Sequence, residues 1–152
     1  FNTDVFGFMA NIADVHPNWV AAAGPAVVLG AGGAARAVCV ALQDAGAPEI
    51  RILNRTVAKA ENLAADLGSP LTVYDWRERR DALREGAFLV NTTSLGMTGM
   101  APLELDLAPL PPASRRNPWT LSRRPSATEG PSASRSWPSG HGCETTVLCH
   151  HL

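Results

Sequence analysis

An α/β fold on a doubly wound parallel sheet is the architecture this sequence predicts, and three observations predict it. Short apolar runs alternate with helical patterns along residues 24–110. The first of those runs enters a helix through glycines, VVLGAGGAARAV at 27–38. The alternation then stops near Pro111, where Ser, Pro and Arg take over, so the sheet is expected to be incomplete and followed by a disordered tail.

The elements follow in order. Phe8, Met9, Ile12 and Val15 make one apolar helical face. Thr3 or Asp4 suits its cap, and His16-Pro17 its stop. Gly24-Pro25 marks a turn, and Ala26–Leu29 reads as a buried strand. Ala34, Ala35, Val38, Cys39 and Leu42 form a second helical face that closes at Ala45-Gly46. Glu49–Asn54 (EIRILN) is the next strand. Ala60, Leu63, Ala64 and Leu67 face one side of a helix ended by Gly68. Leu71–Tyr74 is a third strand and Arg77–Arg84 a charged, exposed helix. Phe88–Asn91 is a fourth strand, and 92–99 a polar loop containing glycine. Strands separated by helices imply βαβ units with right-handed crossovers, hence a Rossmann-like sheet.

Composition narrows the function classes. The 152 residues suffice for one domain with a sizeable core. A net charge of −1 offers no electrostatic case for nucleic acid or an anionic membrane. No apolar run approaches the roughly 20 residues that span a bilayer, and residues 1–10 lack the basic start of a signal peptide. Cys39, Cys143 and Cys149 do not form a disulfide framework, so a cytoplasmic location is expected. A first residue of Phe rather than Met points to an incomplete gene product.

The motif Gly30-x-Gly32-x-x-Ala35 lies between a strand and a helix, where such glycines have mechanical reasons. Gly30 permits the tight turn. Gly32 leaves room for a pyrophosphate, and Ala35 lets helix and strand pack closely. Free amides and the positive dipole end of the helix favour the anion, so Gly30, Ala31, Gly32, Gly33 and Ala34 are candidate cofactor contacts. The alternative is a strand-to-helix turn without a ligand.

The end of the second strand selects the cofactor. A carboxylate there would hold ribose hydroxyls in NAD sites. This chain carries Asn54-Arg55-Thr56, with Lys59 one turn later. A carboxylate would repel a 2′-phosphate, whereas the Arg55 guanidinium can pair with it. One charge-assisted hydrogen bond of about 1.5–3 kcal/mol would favour NADP about 10- to 150-fold. The competing reading is a solvated Arg and Lys at an ordinary helix start.

Taken together, Asn2-Thr3-Asp4 with Gly7-Phe8, Gly30–Ala37 (GAGGAARA), Asn54-Arg55-Thr56 and Asn91–Met97 (NTTSLGM) resemble shikimate dehydrogenase over roughly residues 1–110. The resemblance implies NADP as cofactor and reversible reduction of 3-dehydroshikimate to shikimate in aromatic amino-acid biosynthesis. It implies a helical segment from the interdomain hinge at 1–23, an NADP-binding domain at 24–110 and a substrate domain outside this chain. It makes Asp4 the catalytic carboxylate that shares a proton at the reacting carbonyl with a lysine of the substrate domain. It puts Asn2 and Thr3 beside the substrate, and Thr92, Thr93, Ser94 and Met97 on the nicotinamide side of the cofactor.

The sequence also departs from that family. Its only lysine is Lys59 and its only tyrosine Tyr74, and no Gly-x-x-Met-x-x-x-Gln helix follows Leu110. Residues 111–152 read instead as a low-complexity tail, disordered or the product of a shifted reading frame. His141, Cys143, Cys149, His150 and His151 are zinc-ligand types, but their spacing matches no assignable site, so no metal is expected. Arg115, Arg116, Arg123 and Arg124 come without an aromatic platform for nucleic acid. The expected partner is a small molecule, shikimate or 3-dehydroshikimate, with quinate a close variant. The alternative function is a non-catalytic dinucleotide-binding module or gene remnant.

Overall fold

The structure, a computed structural model, describes residues 3–15, 20–95, 101, 103–110 and 146–148. Its elements are α1 (Thr3–Val15), β1 (Ala26–Leu29), α2 (Gly33–Asp44), β2 (Ile50–Asn54), α3 (Val57–Leu67), β3 (Leu71–Asp75), α4 (Arg79–Leu83), β4 (Phe88–Asn91) and β5 (Thr146–Leu148). Short 3-10 turns precede β1 and α4.

The sheet runs β3-β2-β1-β4-β5. The first four strands are mutually parallel, with Val28 opposite Ile52 on one side and Val90 on the other. β1 therefore sits between the strand that follows it and one that arrives much later. The direction of winding reverses there.

Every residue of β1 and β4 is buried, which is the pattern of strands covered on both faces. On one face Val28, Ile52, Phe88 and Val90 pack with Phe8 and Ile12 of α1, Val38 and Leu42 of α2, and Leu63 of α3. The Phe8 and Phe88 rings meet edge to face, 6.2 Å between centroids, tying α1 to β4. On the other face Val27, Leu29, Leu53 and Leu89 pack with Leu83 of α4 and Leu110. Burying each such side chain contributes roughly 1.5–3 kcal/mol.

Some expectations needed adjustment. α1 begins at Thr3, so Thr3 and Asp4 are its first residues rather than a preceding cap; residues 16–19 lie outside the described residues. Gly68, in the left-handed region at φ 73°, ends α3 as its sequence position suggests. The segment read as one charged, exposed helix is a 3-10 turn joined to a five-residue helix, and its Ala82 and Leu83 are fully buried. Asp75 and Glu78 start that turn as a reciprocal capping box. Arg51 of β2 donates to the carbonyls of Ala82 and Arg84, tying down the end of α4, while Glu49 pairs with its guanidinium.

β5 was not expected. It pairs antiparallel to β4, with Thr146 opposite Asn91 and Leu148 opposite Leu89. A sheet edge offers a row of unpaired N–H and C=O groups, so even three residues of extended chain gain hydrogen bonds there. The tail is thus not without structure at 146–148, and the remaining residues of 111–152 lie outside the described ones.

No helix among the described residues is long and apolar enough to cross a membrane. None of their His, Cys, Asp and Glu side chains cluster as metal ligands.

Candidate functional site

The winding reversal leaves a crevice at the carboxyl ends of β1 and β4, the place where open α/β sheets take ligands. Two loops form its walls: the glycine turn after β1 and the Thr92–Leu95 loop after β4.

The glycine turn is built from β1 outward. Gly30 donates its N–H to Leu53 O at 2.8 Å, extending the β1–β2 ladder by one rung. Its φ of 108° is open to glycine and strained for other residues. Thr92 comes in from the other side. Its N–H and its hydroxyl both donate to Leu29 O, at 2.9 and 2.6 Å. A Cβ on residue 30 would meet Thr92 Oγ1 at 2.5 Å and Thr93 Cγ2 at 3.2 Å.

Gly32 and Gly33 differ from Gly30. Neither has a positive φ, and a Cβ on either would meet nothing within 4 Å. Packing among the described residues therefore gives no reason for glycine at these two positions. A ligand approaching the backbone would give one. Gly32 caps α2 with no side-chain hydrogen bond, so the first amides of that helix keep their capacity for an anion. Ala35 is fully buried, as the close packing of α2 on β1 demands.

The β2–α3 corner supplies positive charge. Arg55, Thr56 and Lys59 are exposed. Among the described residues neither Arg55 nor Lys59 has an ion pair, whereas Arg36 on α2 is engaged by Asp66 of α3. The Thr56 side chain does not cap α3, which leaves that helix start open as well. Asn54 Nδ2 donates to Thr56 O at 2.9 Å, so one of its amide hydrogens braces its own loop.

The β4 loop hangs on Asn91, the one buried polar residue among those described, 2% exposed. Its Oδ1 accepts from Thr93 N–H at 3.0 Å and from Thr93 Oγ1 at 2.6 Å, and its Nδ2 donates to Leu95 O at 2.9 Å. Thr93 Oγ1 in turn accepts from Leu95 N–H. Thr92 and Thr93 are half-buried and Ser94 is exposed. Behind the site, burial pushes the Cys39 thiol up to about 12, against a smaller opposing pull from the Arg36 charge.

The glycine turn, the Arg55 corner and Thr92–Ser94 thus share the carboxyl end of the sheet. Thr3 and Asp4 lie in the first turn of α1. Asn2 and Met97 fall outside the described residues. Asn91 and the Leu29 carbonyl were absent from the sequence-based candidates. An asparagine closing the apolar run FLVN was the available signal.

The shikimate / quinate 5-dehydrogenase family matches residues 19–97, which include both loops and the charged corner. The chain belongs to that family. It is 58% identical over 113 residues to the NADP(+) shikimate dehydrogenase of Paramagnetospirillum magneticum, covering 74% of this chain and 41% of that protein. Against the enzyme of the same name from Rhodospirillum rubrum it is 50% identical over 117 residues, with the same two coverages. Among solved structures, quinate dehydrogenase from Corynebacterium glutamicum in complex with NAD superposes with a TM-score of 0.63 at 28% identity, over 72% of this chain and 40% of that one. Shikimate 5-dehydrogenase from Thermus thermophilus, in complex with NADP(H) and shikimate, gives 0.53 at 40% identity, over 64% and 33%. The chain spans about two fifths of the length of the curated relatives it matches.

Proposed function

We propose that this chain carries the NADP-binding domain, residues 24–110, of an enzyme that interconverts 3-dehydroshikimate and shikimate. The observation that carries the reading is a pairing. Two glycines that no described packing requires stand beside a cationic corner that has no ion partner among the described residues. The first leaves room for a pyrophosphate over the α2 amides, and the second suits a 2′-phosphate. NADP fits both features. When bound, its nicotinamide would carry the hydride, taken from shikimate in the oxidised form and returned to 3-dehydroshikimate in the reduced form.

The chain's own residues divide the work by position. Gly30, Ala31, Gly32, Gly33 and Ala34 receive the pyrophosphate. Asn54 holds the corner in shape, and Arg55, Thr56 and Lys59 receive the adenosine phosphate. Thr92, Thr93, Ser94 and Met97 line the nicotinamide half. Asp4, with Asn2 and Thr3, serves the substrate side from the start of the segment 1–23, read as part of the interdomain hinge. Its carboxylate can exchange a proton at the substrate oxygen if a second acid is supplied opposite it. The substrate-holding groups come from a domain beyond these residues.

Quinate is the second reading of the substrate, favoured by the likeness to the Corynebacterium glutamicum structure. Titration of the purified chain with NADP and NAD tests the cofactor assignment, and preference for NADP is expected. Shikimate- or quinate-dependent reduction of NADP by a chain extended to the length of its relatives tests the substrate. A chain that binds neither dinucleotide would end the reading.

A further inference from the structure

The buried carboxamide of Asn91 has no counterpart in the roles just assigned. A primary amide at the end of an otherwise apolar, fully buried strand is costly unless its hydrogen bonds are met. Here all three recorded bonds go forward into one loop, to Thr93 N–H, Thr93 Oγ1 and Leu95 O. None serves the sheet. Thr92, between them, is fastened separately to Leu29 O. The loop after β4 is therefore held at two points, by Asn91 from beneath and by β1 from the side.

We propose that Asn91 is a positioning residue for the nicotinamide half of the cofactor alone. The inference rests on the dinucleotide reading above. In strand order β3-β2-β1-β4, the Arg55 corner follows β2 and the Asn91 loop follows β4, on opposite sides of the glycine turn. A dinucleotide with its pyrophosphate at α2 and its adenosine phosphate at Arg55 must direct its other half toward β4. Freeing the loop then disorders the receiving wall for one half and leaves the other untouched.

Two probes separate the halves: NADP, which reaches both sides, and 2′,5′-ADP, which ends before the nicotinamide. Both are titrated into the 152-residue chain and into Asn91→Ala, Asn91→Asp and Thr93→Val variants, well below the unfolding temperature. Asn91→Ala is expected to weaken NADP about 10-fold or more and 2′,5′-ADP less than about 2-fold. Thr93→Val, which removes one leg of the brace on a half-buried side chain, should give a smaller loss in the same direction. It also provides the comparison if Asn91→Ala does not fold. Asn91→Asp keeps both acceptor contacts and should recover part of the NADP affinity. Parallel loss of both probes would mean that Asn91 merely holds the fold and would overturn the inference. Equal affinity of the wild-type chain for the two probes would overturn it too. Failure of the wild-type chain to bind either probe would overturn the dinucleotide reading itself.

Discussion

Thr92 occupies the space that a side chain on residue 30 would need: a Cβ on Gly30 would stand 2.5 Å from Thr92 Oγ1. The hydroxyl is held there by Leu29 O at 2.6 Å, so it cannot yield without giving up that bond. The same contact brings the loops of β1 and β4 together at the carboxyl end of the sheet.

Gly30→Ala should therefore be a folding variant. Left-handed strain and the clash together predict a loss of about 2–4 kcal/mol in denaturant unfolding. Gly32→Val should behave in the opposite way. A Cβ there meets nothing within 4 Å among the described residues, so stability should stay within about 1 kcal/mol of wild type, while NADP binding is lost. Retained binding in Gly32→Val would remove the pyrophosphate from that turn.

Arg55→Ala should separate the cofactors. The guanidinium is exposed, so its bond to a 2′-phosphate belongs at the weak end of the charge-assisted range, about 10-fold in affinity. NADP should lose that factor and NAD should change little. Equal losses, measured by titration, would show that Arg55 does not read the extra phosphate.

Cys39 predicts a pH dependence. Its folded-state pKa is raised from 9.0 to about 12, so its contribution is complete below pH 9 and is lost as pH climbs from 9 toward 12. The unfolded chain releases the proton in that window and the folded one does not. At pH 10 the loss should be on the order of 1 kcal/mol relative to pH 7. Denaturant midpoints of wild type and Cys39→Ala at the two pH values isolate it. An identical pH response in both proteins would contradict the assignment.

The 152-residue chain should bind NADP without oxidising shikimate. Lys59, its only lysine, follows β2, whereas the wall read as receiving the nicotinamide follows β4, two strands away. The chain has no second lysine to share a proton with Asp4, and general acid–base catalysis commonly contributes about 10²- to 10⁴-fold. Absorbance at saturating NADP and shikimate checks this. Turnover at ordinary enzymatic rates would refute the division of labour proposed above.

The four parallel strands were legible because each is an apolar run bounded by turn residues, as in Gly24-Pro25 before β1 and Gly86 before β4. The glycine turn and the Arg55 corner were legible for a related reason: both are local, with their chemistry concentrated in a few adjacent residues. The Thr92–Leu29 bond was not, because it joins residues 63 apart and involves a backbone acceptor that any residue type would provide. The inward turn of Ala82 and Leu83 was masked by the four arginines around them in 77–84. β5 left no pattern, since three residues are too few for any periodicity to register.

The central place of β1 has a kinetic side. Ala26 pairs with Ile50, 24 residues on, and with Phe88, 62 residues on. Closing the longer loop costs about 0.8 kcal/mol more in chain entropy. The β1–β2–β3 half consists of near-neighbour contacts and can assemble early, while β4 must be captured from far along the chain. The crevice does not exist until that capture, because one of its walls arrives with β4. The half bearing Arg55 and the glycine turn can thus be native while the pocket as a whole is still unformed, which makes docking of β4 the step that would complete the proposed dinucleotide site.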